Sequence, residues 1–286
     1  MLTNFEIYRY KSAGISNLGI LKLVKFYHQH PKVRKLNLRQ TGQITETRSL
    51  ADFIERYKSQ EIKEIKRKYQ KFPSISILDE DYPENLRQIY NPPAILFYKG
   101  NIDLLKYPKI AFVGSRDCDI TGVKSVEKLI KGLGQNFVIV SGLARGIDTA
   151  SHIAAVKKNI ATIAVIGTGL NVYYPKENRS LQEHLMEKQL VLTEYGAGER
   201  ALKFHFPERN RIIAGLSRGV VVAEAKMRSG SLITAERAIE EGRDVFAIPG
   251  SISDGKSDGC NHLIQEGAKL VTNAQDILEE YHLNLN

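Results

Sequence analysis

Tryptophan is absent from this 286-residue chain, and cysteine and methionine are scarce, at two and three residues. Cys118 and Cys260 fall at no metal-ligand spacing and make no disulfide framework, a usage that suits a reducing compartment. No run approaches the roughly 18 apolar residues of a membrane-spanning helix, and the start, MLTNFEIYRYKSAG, lacks the apolar core of a secretory signal. A soluble, cytoplasmic protein with no membrane partner is expected. The nucleotide signatures are missing too. GxxxxGK[ST] occurs nowhere, and Gly167-Thr168-Gly169-Leu170-Asn171-Val172 lacks the third glycine of a dinucleotide fingerprint, which argues against a P-loop enzyme and a dehydrogenase. None of the seven histidines stands at a metal or triad spacing, and His152 and His184 fall within predicted helices as structural or exposed residues. With no nucleophile–base pair in view, no catalytic residue, metal or cofactor is expected.

What is present is positive charge, unevenly placed. The net charge is +9; residues 1–71 hold 16 Lys and Arg against 6 Asp and Glu, or +10, leaving 25 against 26 over residues 72–286. The excess reads either as a solvated face or as a module adding electrostatic affinity for nucleic acid. Hydrophobic residues make up 42 %, enough for one large domain or one large plus one small. Ser16-Asn17 can cap a helix through Ile20, Leu23 and Tyr27, and Ser49–Tyr57 and Glu61–Tyr69 read as two more, while Pro31–Gln43 has no clear assignment. The boundary falls near Lys71, giving a small helical domain over 1–71 and a larger one over 72–286. Strands at Ser74–Leu78 and Ala94–Tyr98, between proline pairs, belong to the larger domain.

From Lys109 onward short apolar runs alternate with helical stretches. Strands are expected at Ile110–Val113, Phe137–Val140, Ala161–Ile166, Leu190–Thr193, Val220–Ala225, Val245–Ile248 and Ala268–Val271. Continuous β-branched runs suit parallel strands buried on both faces. The alternation predicts an α/β fold, a doubly wound, mainly parallel sheet with helices on both faces.

Anion-binding features recur at the carboxyl ends of these strands, where doubly wound sheets bind ligands. Gly114-Ser115-Arg116 offers a backbone nest, a hydroxyl and a guanidinium fork, with a helix expected to follow. The second glycine turn, from Ser141 through Gly142 to Gly146, is followed by another helix. Lys176 and Asn178 trail the third strand, and Lys203 precedes Phe204-His205-Phe206. Arg209-Asn210 lies near a helix start, and Ser229-Gly230-Ser231 opens another helix. Phe204 and Phe206 are either stacking faces for bases or core. Repeated phosphate contacts beside aromatic faces fit single-stranded nucleic acid better than a mononucleotide.

The runs GSR, SGLARGID, AVIGTGL followed by YP, FHFPERNRIIAGLS, VVVAEAKMRSGSLITAERAIEEGRDVFAIPG and GCNHLIQEGA together resemble the DNA-processing protein A (Smf) family across residues 109–271, and PSISILDEDYPENL and PPAILFYKG extend the likeness. The resemblance implies an extended Rossmann-like domain preceded by a small all-helical, SAM-like domain, with no room for the winged helix of some members. It implies a non-catalytic protein that binds and protects incoming single-stranded DNA and helps load the strand-exchange recombinase (recombinase A) in natural transformation and homologous recombination. Single-strand-binding protein is a candidate further partner. Carried over by position, Gly114, Ser115, Arg116, Gly142, Gly146, Lys176, Lys203, Arg209 and Asn210 form the DNA pocket; Gly142 and Gly146 let the backbone approach. Family members also pair through the region after PGS, here Asn261, Leu263, Ile264, Gln265 and Leu270, which implies a homodimer.

Two other classes compete. The GS-x-x-TA turn is similar to the loop of Rossmann-like nucleotide phosphoribohydrolases, but Arg237 stands where their glutamate is needed and Glu236 falls one place early. A plain nucleotide-binding sensor would share the same phosphate pocket.

Overall fold

The computed structural model describes residues 2–283. The amino-terminal part is five helices, α1 (Asn4–Ser12), α2 (Asn17–Gln29), α3 (Leu38–Ile44), α4 (Leu50–Ser59) and α5 (Ile62–Tyr69). Two of these go beyond the sequence reading, and both carry a legible start signal. Thr3 and Glu6 form a reciprocal capping box on α1, and Asn37 and Gln40 form another on α3, inside the stretch left unassigned.

The chain then lays down β1 (Ser74–Ser76), α6 (Glu84–Arg87), β2 (Ile95–Gly100), β3 (Lys109–Val113), α7 (Ile120–Leu133), β4 (Val138–Ser141), α8 (Ile147–Lys157) and β5 (Thr162–Ile166). It continues with α9 (Arg179–Lys188), β6 (Leu190–Thr193), α10 (His205–Leu216), β7 (Gly219–Val222), α11 (Gly230–Glu240), β8 (Asp244–Ala247), α12 (Asp258–Gln265), β9 (Lys269–Leu270) and α13 (Gln275–Leu278). All nine strands share one sheet in the order β1-β2-β6-β5-β4-β3-β7-β8-β9. Pairing is parallel from β6 to β9, with β2 and β1 added antiparallel on one side. This is the expected doubly wound sheet. The chain runs outward from β3 to β6, then crosses to β7 on the other side of β3, so the topological switch point lies between β3 and β7.

Alternate side chains divide the core. Ala111, Val113, Val140, Val165, Val220 and Val222 face α6, α10, α11 and α12. On the other face, Ile110, Phe112, Ile139 and Phe246 pack under α7, α8 and α13. The rest of that second face, Ile95, Phe97, Ala164, Ile166 and Val191, is covered by α9 and by the five-helix module, whose Ile7, Tyr8, Ile20, Leu23 and Phe53 join the same cluster. Tyr8 meets Phe97 edge-on with ring centres 5.3 Å apart. Burying one such aromatic against a sheet stabilises by roughly 2–3 kcal/mol. The helical module therefore acts as a cover for part of one face of the sheet.

Polar contacts fix its angle. Asn17 donates to Asn91 and the Pro92 carbonyl and accepts the Ala94 N–H. Lys11 reaches the buried Glu194 at 2.9 Å, and Arg211 grips the same carboxylate from α10. Burial pushes the Glu194 pKa up, but Lys11 and Arg211 together more than offset it and hold it below the ordinary glutamate range.

Candidate nucleic-acid interface

A cleft of about 640 Å³ opens at the carboxyl ends of β3 and β7, at the switch point. Gly114, Ser115, Arg116, Lys203, Arg209, Asn210, Ser229, Gly230 and Ser231 all border it. Nine of the fourteen proposed contact residues, spread over 118 positions of chain, thus meet at one place.

The turn after β3 differs from its sequence reading. The Ser115 N–H donates to the Glu224 carbonyl at 2.6 Å, and the Ser115 hydroxyl accepts the Asp117 N–H. No helix springs directly from it: α7 starts at Ile120, and the Asp119 carboxylate caps it by accepting the Thr121 and Gly122 N–H groups. The expected backbone nest is therefore already engaged. What the turn presents is the Arg116 guanidinium, exposed, with its central carbon 5.7 Å from the Phe206 ring centre.

Both glycines of the second turn serve the protein itself. A Cβ on Gly142 would lie 1.3 Å from Arg209 Nη1. A Cβ on Gly146, whose φ is +70°, would lie 2.1 Å from the Ser115 carbonyl oxygen. The missing side chains make room for Arg209 and for the Ser115–Arg116 backbone.

Arg209 is the unusual group. It is 5 % exposed, on α10, with Nη1 3.9 Å from Asp148 Oδ2. Its Nε has no hydrogen-bond partner among the described residues. A guanidinium keeps its charge at any ordinary pH, so a buried cation with an unused donor lies at the cleft wall. Burial pushes the Asp148 carboxyl pKa up, against the pull of Arg209 and of the Ala144 N–H. His152, one turn on, is buried and lowered to about 3 by burial and by the Arg209 charge, so it stays neutral. It bonds Thr162 through Nδ1 and is structural, as expected; His184 is exposed.

The opposite wall is the start of α11. Ser229 occupies the cap position but makes no side-chain cap bond; its hydroxyl pairs with that of Ser231 at 2.8 Å. First-turn N–H groups of an α-helix have no intrahelical partner, and with the helix dipole they favour an anion. Asn210 ties the two walls by donating to the Gly230 carbonyl at 3.4 Å. Phe206 and Tyr174, with ring centres 5.4 Å apart, add an aromatic face.

Other proposed residues lie elsewhere. Asn178 is buried, donating to the Leu143 carbonyl and the Thr149 hydroxyl, and so clamps two loops instead of facing a ligand. Lys176 and Phe204 are exposed but outside the cleft lining, and Phe204 meets His205 edge-on. Tyr174, Asp148 and Lys226 border the cleft without having been singled out. An acid in the first turn of the helix after SGLARG was the available signal for Asp148; for Tyr174 it was the Tyr-Pro pair that follows AVIGTGL in the family-like run. Glu236 is exposed on α11 and outside the cleft.

The proposed pairing segment also divides. Leu263 is buried and Ile264 packs against the same core cluster, because α12 covers the sheet face there. Asn261 is committed to the Gly250 N–H and carbonyl. Gln265 and Leu270 remain outward, the latter on β9, an edge strand of the sheet. Leu263 is thereby corrected to core, while Ile264 is partly exposed and stays available to an interface.

The profile of the DNA recombination-mediator protein A family matches residues 74–282, and that of the DNA processing protein A sterile alpha motif domain matches residues 2–65. The chain belongs to the DNA recombination-mediator protein A family. It is 60 % identical over 280 residues to DNA processing protein DprA of Streptococcus pneumoniae, covering 98 % of this chain and 99 % of that protein. It is 47 % identical over 209 residues to DprA of Bacillus subtilis, covering 72 % and 70 %. The X-ray structure of the S. pneumoniae protein superposes with a TM-score of 0.95 at 59 % identity, over 100 % of this chain and 99 % of that one. DNA processing protein A of Helicobacter pylori, solved for its single-stranded DNA binding mode, superposes with a TM-score of 0.66 at 30 % identity, over 74 % of this chain and 97 % of that one.

Among the described residues no helix is long and apolar enough to cross a membrane.

Proposed function

We propose that this member of the DNA recombination-mediator family binds single-stranded DNA non-catalytically in the switch-point cleft. The observation that carries the reading is the buried, under-bonded Arg209 beside the exposed Arg116 and Lys203, facing an uncapped helix start. Such a set holds phosphates by charge-assisted bonds, while Phe206 and Tyr174 offer faces on which bases stack. The H. pylori relative, described as binding single-stranded DNA, supports the same ligand.

In the cytoplasm the bound strand would be protected and passed to the strand-exchange recombinase (recombinase A), in natural transformation and homologous recombination, with single-strand-binding protein as a second partner. The protein would act as a homodimer through the β9 edge, where Leu270 is 46 % exposed. Leu270→Arg should then give a folded monomer by light scattering; an unchanged dimer moves the interface elsewhere, and a monomeric parent removes it.

The test of the binding reading is a salt-titrated comparison of single- and double-stranded DNA. Tighter, steeply salt-dependent single-strand binding is expected. Equal affinity for a mononucleotide and a 20-nucleotide strand would point to the sensor. Base release from nucleoside monophosphates would point to the hydrolase, a reading weakened by the position of Glu236.

A further inference from the structure

We propose that the bound strand leaves the cleft across the adjoining edge of the sheet and continues over α5 of the helical module, which forms a second stretch of one nucleic-acid track. The inference rests on the cleft being a single-strand site.

Helix α5 docks by Ile65 and Tyr69, half-buried against the module core. That leaves Lys63, Lys66 and Arg67, at i, i+3 and i+4, on a different, exposed face. With Lys71 just beyond the helix, these cations line a groove of about 960 Å³. Lys68 is engaged by Glu64 at 2.8 Å; none of the other four has an ion pair among the described residues. A helix that carries this density of unpaired like charge on one exposed face attracts anions.

Position identifies the anion. The far wall of the groove is Asn171 and Ala197, from the loops that follow β5 and β6. The same two loops supply Tyr174 and Lys203 to the cleft, only three and six residues further on. Asn171 accepts the Gly198 N–H at 2.8 Å, which bonds the two loops into one ridge between the sites. From β3 to β6 is three strand intervals, about 14 Å at the usual spacing. A chain of phosphates bridges such a gap with a few residues, whereas a single small anion cannot use both sites. The same two loops carry further exposed cations, Lys176 and Arg200.

The test uses the full-length protein with oligothymidine of 6 and of 30 nucleotides, comparing the parent with Lys63→Ala/Lys66→Ala/Arg67→Ala. The 6-mer affinity should stay within about twofold. The 30-mer affinity should fall about tenfold at low salt, and its log–log salt slope should flatten by about two units, at 0.7 per lost phosphate contact on a single strand. Parent-like 30-mer affinity and slope would overturn the track and leave the groove to an acidic protein segment. If the parent fails to bind the 6-mer at all, it is the cleft reading that falls. A photoreactive base at one end of the 30-mer should crosslink the parent within residues 61–71 when the other end occupies the cleft; crosslinks confined to residues 114–234 overturn the track even if the triple variant misfolds.

Discussion

The cleft and the α5 groove are both positive, and they are built in opposite ways. In the cleft the key cation, Arg209, is held below the surface by a glycine that makes room for it and by a carboxylate 3.9 Å away. In the groove the cations stand in water on a helix that buries no residue fully. Taking an ion pair out of water costs several kcal/mol per ion before attraction repays it. Solvated lysines cost folding almost nothing, and salt screens them over about 8–10 Å. On the proposed track, preorganised charge would set where a strand sits, and solvated charge how much of it is held.

The largest effect expected from breaking this contrast is at Arg209. Arg209→Ala leaves Asp148 buried and unpaired, and should lower unfolding free energy by on the order of 3 kcal/mol in urea titration. Adding Asp148→Asn should restore most of that stability while single-strand affinity stays lost. If stability does not return, the pair is not what Arg209 provides to the fold.

The next concerns the contact that keeps groove and cleft side by side. Glu194→Gln removes the charge shared by Lys11 and Arg211, and should cost roughly 2–3 kcal/mol. The pH dependence carries a sign. Because the folded-state pKa of Glu194 is held below its unfolded value, its stabilisation is present above the ordinary glutamate pKa and is lost as pH falls through the depressed folded value. Asp148 works the other way: its raised pKa favours the folded state below the ordinary aspartate value and loses that contribution as pH rises through the raised one. Melting curves of the parent and Glu194→Gln from pH 6 to pH 3 should therefore converge toward acid; parallel curves would falsify the assignment.

Smaller still is Arg116→Ala, which removes an exposed fork that supports no core. Single-strand affinity should fall ten- to a hundredfold, the range for a charge-assisted bond, with thermal stability unchanged. The smallest effect belongs to Lys203→Ala: affinity falls a few-fold, and the salt slope flattens by about 0.7. A similar change from Lys176→Ala would mean the strand crosses the ridge as the track requires.

Most of the architecture was legible because buried parallel strands leave a distinctive trace. Runs such as Ile110–Val113 and Leu190–Thr193 are continuously apolar, and each is bounded by a turn signal, so strand identity follows from composition. Helix α3 was missed because its basic surroundings hide a seven-residue helix whose evidence is one capping pair, Asn37 and Gln40. The site was legible in residue type and less so in role. Glycine and arginine in SGLARG and FPERNR marked the place, but a sequence does not say whether a glycine approaches a ligand or another side chain.

Amino-acid order alone determined the alternating elements, the concentration of positive charge in residues 1–71 and the phosphate-binding residue types at strand ends, because each depends on neighbours only a few positions apart. Tertiary structure decided what depends on distance through space. It placed Gly142 under Arg209, turned Asn178 and Leu263 inward, spent the Ser115 N–H on Glu224, and set α5 against the loops after β5 and β6. Those outcomes follow from sheet order and helix packing, which bring together groups as distant in sequence as Lys11 and Glu194, 183 positions apart, and no local pattern encodes which of them will touch.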